Sequence, residues 1–108
     1  MSYSKYRAKK VTIDGIKFDS LKEGNRYKEL KLMERANIIS NLRCHVPYVL
    51  IKKSKYGSDV KYIADFVYVE DEKEVVEDVK SKATITSVYR LKKRLMAEVY
   101  GIIIKEVF

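Results

Sequence analysis

The sequence predicts an α/β (α+β) fold: a central mixed sheet flanked by helices in the order αβββαβ, with a β-hairpin in front. Three observations carry this. Residues 42–51, 60–69 and 75–80 are successive runs of β-branched and aromatic residues with polar breaks between them. Helical patterns at about 20–36 and 87–100 bracket those runs. A last apolar run, 102–107, follows the second helix and is expected as a final buried strand.

Each element has a local reason. Residues 1–9 are polar and basic without periodicity and read as a flexible arm; residues 10–108 form one domain with one modest core. Within 11–18 the Asp14-Gly15 pair suits a type I′ turn, whose two central residues take positive φ. Ser20 and Glu23 have the spacing of a capping box. The helix they open has Leu21, Tyr27, Leu30, Leu32, Met33 and Ala36 as apolar positions. Gly24 costs that helix about 1 kcal/mol against alanine, so something bulky, backbone or nucleic acid, is expected close to it. Residues 37–41 break the helix. Pro47 marks the strand 42–51 as an edge strand or a bulged one. In 60–69, alternation puts Tyr62, Ala64, Phe66 and Tyr68 on one face and Ile63, Asp65, Val67 and Val69 on the other. Residues 70–74 form a charged turn and 81–86 a loop. The second helix is expected to turn Val88, Leu91, Leu95, Met96 and Val99 inward and to stop at Gly101.

The chain carries 23 Lys and Arg against 15 Asp and Glu, a net charge of +8. Polyanions are the obvious partners, nucleic acid before an anionic membrane surface. The cations cluster: Lys5, Arg7, Lys9 and Lys10; then Lys52, Lys53 and Lys55; then Arg90, Lys92, Lys93 and Arg94, with Lys82 on the loop before them. The acids concentrate between Glu70 and Asp78, where a positive partner such as a metal would sit. Tyr3, Tyr6, Tyr48, Tyr56 and Tyr62 interleave with basic residues; they suit packing in strands, or stacking on unpaired bases. No apolar run is long enough to span a bilayer and no apolar signal core follows the basic start, so a cytoplasmic protein, without membrane attachment, is expected. The lone Cys44 is expected as a buried, reduced thiol.

The chemistry concentrates on two strands. Asp65 interrupts an apolar strand face, where an ionised carboxylate needs a cation or a lysine opposite. Asp78 and Lys80 project from one face of the next strand, two residues apart. Glu77 points the other way if that strand is regular and becomes the reserve ligand if it bulges. Glu23 is explained by helix capping alone, or it leans over the sheet and completes a metal site. Hard oxygen ligands of this kind suit Mg²⁺ or Mn²⁺. One cysteine and one histidine exclude a zinc centre. Cys44 and His45 point to opposite faces of a strand and cannot form a nucleophile pair, which leaves His45 as a solvent-side or groove residue. Scattered glycines exclude a phosphate loop.

The segments Phe18-x-Ser20-x-x-Glu23, Tyr62-x-Ala64-Asp65-Phe66, Val76-Glu77-Asp78-Val79-Lys80-Ser81, Thr84 and Tyr89-Arg90-Leu91-Lys92 resemble the PD-(D/E)XK nuclease superfamily. The resemblance is to small phage-encoded members related to Holliday junction resolvases, and runs from about residue 11 to 107. It implies a restriction-endonuclease-like αβββαβ core with Asp65 and Asp78 as metal ligands, Glu23 as the helix-borne acid, Lys80 as the catalytic lysine and Lys92 as the accessory polar residue. Ala64 stands where the motif's name has proline. The function implied is Mg²⁺-dependent DNA cleavage, by a homodimer acting on branched or junction DNA in phage replication or recombination. A nucleic-acid-binding accessory without catalysis is the alternative, and a peripheral membrane protein built on the cationic helix 87–100 is a third.

Overall fold

The computed structural model describes residues 9–108. Of the expected basic arm, Lys5 and Arg7 therefore lie outside the described residues, as do Tyr3 and Tyr6, while Lys9 and Lys10 are exposed at its edge. The chain then runs β1 (Val11–Ile13), β2 (Ile16–Phe18), α1 (Leu21–Arg35), β3 (Ser40–Ile51), β4 (Val60–Glu70), β5 (Lys73–Val79), a single 3₁₀ turn (Lys82–Thr84), α2 (Ser87–Tyr100) and β6 (Lys105–Val107). β1 and β2 make a separate antiparallel hairpin; the remaining strands make one mixed sheet in the order β3-β4-β5-β6, with only β5–β6 parallel. β3 lies at one edge, as Pro47 requires.

Turn chemistry sets the local geometry. Asp14 and Gly15 both have positive φ, 53° and 77°, so the first hairpin closes as the Asp-Gly pair demands. The β4–β5 connection is tighter than the charged run suggests: only Asp71 and Glu72 lie outside the strands, at φ 50° and 65°. Asn37 takes a φ of 60° in the break after α1, and Asn41, one residue into β3, a φ of 54°. Gly101, at φ 68°, caps α2. Gly24 is explained by the hairpin: an added Cβ would stand 2.7 Å from Val11 Cγ2 and 3.1 Å from Ile13 Cδ1.

Two cores sit on the two faces of the sheet. Phe18, Tyr27, Leu30, Ile39, Phe66 and Tyr68 pack on the α1 side; Leu50, Tyr62, Ala64, Val67, Val76, Tyr89, Met96 and Ile104 pack on the α2 side. The expected alternation of β4 therefore breaks. Tyr62 and Ala64 join the α2 core, but Phe66 and Tyr68 join the α1 core and Val67 changes places with them. The phase slips at Asp65. On β3 the residue bracketed by the pairs Cys44–Phe66 and Val46–Ala64 is His45, whose φ is +54°. The fault thus crosses both strands at one level.

The inward face of α2 also differs from expectation. Tyr89 and Met96 are buried, whereas Val88, Leu91 and Val99 are 60%, 58% and 51% exposed. Tyr89 wins the inner position because its ring packs on the core while its hydroxyl reaches Glu106. β6 is a short edge strand, and Ile104, just before it, is the buried residue of that segment while Ile103 is exposed. Cys44 is half-buried against the α1 core, and burial pushes its thiol up to about 11.

Candidate functional site

The β4–β5 ladder runs from Glu70–Lys73 to Phe66–Glu77. At the next position a side chain replaces the main chain: Asp65 Oδ2 accepts from the Val79 N–H at 2.7 Å. The strands part there, and the opening is a cleft of about 440 Å³. Glu23, Asp65, Asp78, Lys80 and Lys92 all line it, with Tyr62, Tyr89, Ile63 and Val88 among the remaining walls. α1 supplies Glu23, β4 and β5 supply Asp65 and Asp78, the residue just past β5 supplies Lys80, and α2 supplies Lys92.

Asp78 is 5% exposed and held at both oxygens. Tyr62 Oη donates to Oδ2 at 2.6 Å and the Lys80 ammonium stands 3.1 Å from Oδ1. Lys80 Nζ also sits 3.8 Å over the Tyr89 ring, whose quadrupole favours a cation there. The Lys80 main chain is tied at both ends, its N–H to Val107 O and its carbonyl to Lys22 Nζ at 2.8 Å each. The lysine is therefore fixed between α1, α2 and β6.

Ser20 caps α1 by accepting from the Glu23 N–H at 3.1 Å. Glu23 does not complete a reciprocal box: among the described residues its carboxylate takes its hydrogen bond from His45 Nε2, 2.9 Å from Oε1. Burial raises the Glu23 carboxyl above the ordinary range, against the lowering effect of His45. Asp65 is pushed further, to about 8, first by burial and then by the negative neighbours Asp78 and Glu23; the Val79 N–H and Lys80 oppose this. Three carboxylates thus repel one another across the cleft.

Glu77 is excluded from the site. β5 is regular, so Glu77 faces α1, fully buried, with Arg26 Nε and Nη2 at 2.9 and 2.7 Å and the Tyr68 hydroxyl also donating. The acidic concentration at 70–78 is likewise dispersed. Asp71 and Glu72 form the turn, Glu74 pairs with Arg43 at 3.2 Å, and only Asp78 reaches the cleft.

The basic groups divide. Lys92 faces the cleft, and Lys82 is exposed on the turn beside Thr84, a cleft residue. Arg90, Lys93 and Arg94 line a different groove of about 250 Å³ against Ile103 and Ile104, with Lys93 paired to Glu106 at 3.2 Å. Lys52, Lys53 and Lys55 are exposed on the β3–β4 loop, where Lys55 rests over the 87% exposed ring of Tyr56. Tyr48 packs edge-on against Tyr100. Sequence reasoning left His45 as a solvent-side or groove residue without its contact to Glu23, and missed Tyr62 as partner of Asp78 and Tyr89 beneath Lys80. The buried tyrosine hydroxyls were the available signal, since each needs a polar partner.

Among the described residues, no three acidic, histidine or cysteine side chains converge as a finished metal cage. The donor set nevertheless fits a hard divalent ion. Among the described residues Asp65 and Glu23 each bond through one oxygen only, and no fully buried side-chain oxygen lacks a partner, so the second oxygens open to the cleft. A cation would offset the burial and the repulsion that together raise Asp65, and Asp78 could join by exchanging its lysine contact.

Fold and cleft together define a small basic α+β protein whose mixed sheet parts at one end around acids and a lysine. The chain belongs to the family described as a protein of unknown function (DUF1064), which matches residues 3–106. No curated protein and no solved structure matches the chain. Among the described residues no helix is long and apolar enough to cross a membrane.

Proposed function

We propose that this protein is a Mg²⁺-dependent endodeoxyribonuclease with a restriction-endonuclease-like core of the PD-(D/E)XK type. The observation that carries the reading is the grouping of Asp65, Asp78 and Lys80, from neighbouring strands, with Glu23 and Lys92 around one cleft. Asp65 and Glu23 would hold the ion, with Asp78 as the further ligand. The ion, Mg²⁺ or Mn²⁺, supplies polarisation of the scissile phosphate and a more acidic water. Lys80, once released from Asp78, stands where it can orient a water and offset charge on the phosphate. Lys92 contacts the substrate's phosphates from the α2 wall.

The +8 charge supports a nucleic-acid substrate, with the exposed lysines on the β3–β4 loop as contacts outside the cleft. Branched or junction DNA in phage replication or recombination, cut by a homodimer in a bacterial cytoplasm, is the substrate class favoured by the resemblance. The test is a panel of labelled four-way, flap, duplex and single-stranded DNA with Mg²⁺, with Mn²⁺ and with EDTA. Metal-dependent cleavage is expected, abolished by Asp65→Ala and by Lys80→Ala while DNA binding persists. Retention of cleavage by both variants refutes the assignment.

The second reading is a non-catalytic nucleic-acid-binding accessory. It is favoured by the ion pair that occupies both Asp78 and Lys80. DNA binding with no cleavage of any substrate in either metal establishes it.

A further inference from the structure

His45 stands beside the cleft, in contact with Glu23, and the nuclease reading leaves it unused. It sits in the middle of β3 at φ +54°, a conformation that costs any residue with a Cβ and that a strand does not need. The same level of the sheet holds the phase slip of β4 at Asp65. The turned backbone lets the imidazole lie against Phe18, with ring centroids 5.6 Å apart, and brings Nε2 to Glu23 Oε1 on α1. A carboxylate only accepts, so His45 Nε2 donates.

We propose that His45 is the positioning residue for Glu23: it occupies Oε1 so that Oε2 faces the cleft. Strain in the middle of a strand persists only where the surroundings enforce it, and here the enforced product is the orientation of one carboxylate. A partner that orients a metal-binding carboxylate commonly changes metal affinity 10–100-fold when removed. This rests on the metal-dependent reading of the cleft, and its test is chosen to separate the two.

Two variants isolate the hydrogen bond. His45→Asn tolerates the left-handed backbone but is too short to reach Glu23. His45→Gln carries an amide about as far out as Nε2. The readout is the midpoint Mn²⁺ concentration for thermal stabilisation of the whole protein, set beside its Tm in EDTA and the Mn²⁺ dependence of cleavage. An Asn midpoint at least about tenfold above wild type, with Gln within about threefold, is expected. An unchanged Asn midpoint overturns the proposal, and so does an equal rise in both variants. If wild type gains stability from Mn²⁺ but cleaves nothing, the nuclease reading falls and the midpoints still decide the role of His45. If wild type gains no stability from Mn²⁺, the proposal falls with the metal site.

Discussion

Replacing Asp65 by asparagine should make the metal-free protein more stable while ending its response to metal. The carboxyl of Asp65 is raised from 3.8 to about 8 by burial and by Asp78 and Glu23. Between those pH values the folded chain holds a proton that the unfolded chain has released. Folding stability from this group is therefore complete below about pH 4 and drains away as pH rises towards 8. At about 1.4 kcal/mol per pH unit, the whole loss from 3.8 to about 8 is roughly 6 kcal/mol. One oxygen faces the open cleft, and solvent screening there reduces this to roughly 2–3 kcal/mol. Asparagine keeps an acceptor for the Val79 N–H and removes the charge. In EDTA, denaturant unfolding at pH 5 and pH 8 should show wild type losing stability with pH and Asp65→Asn losing much less, so that the variant is the more stable at pH 8. Millimolar Mg²⁺ should stabilise wild type alone. An Asp65→Asn protein less stable than wild type at pH 8, with the same pH slope, would refute the electrostatic account of the cleft.

Other consequences follow from single contacts. Arg26→Met strands the fully buried Glu77 and should cost about 3–5 kcal/mol in denaturant unfolding, most of it recovered in Arg26→Met/Glu77→Gln. Gly24→Ala gains about 1 kcal/mol of helix propensity but drives its Cβ into Val11, so a net loss of about 1 kcal/mol is expected, relieved when Val11→Ala is added. Glu72→Gly releases a left-handed glutamate in the β4–β5 turn and should raise stability by about 1 kcal/mol, read as a higher Tm.

What the sequence disclosed was chiefly local. The Asp-Gly turn, the Ser20 cap, the Gly101 stop and the edge position of the strand bearing Pro47 each depend on a residue and its near neighbours. Of the cleft's polar residues, Asp65, Asp78 and Lys80 were legible in the residues themselves, because the D-x-K spacing projects Asp78 and Lys80 from one face and an aspartate in an apolar strand needs company, whereas Glu23 and Lys92 were assigned to the site only through the family resemblance. The phase slip at Asp65 was not legible, since simple alternation is silent about where two strands separate. The glutamate–histidine contact joins residues 22 apart and depends on a single backbone angle. The α2 pattern misled because a tyrosine with a polar tip outcompeted three aliphatic residues for the interior, a choice settled by Glu106 across the sheet.

The left-handed residues and the proline of β3 have an effect on self-association. Among the described residues β3 is an unpaired margin of the sheet, twelve residues long, and such margins recruit further strands. Pro47 withholds a donor there, while positive φ at Asn41 and His45 interrupts the extended ribbon. A neighbouring molecule would meet a broken template instead of a continuous row of amides. The irregularity beside the cleft thus also guards against runaway sheet extension and fibre growth.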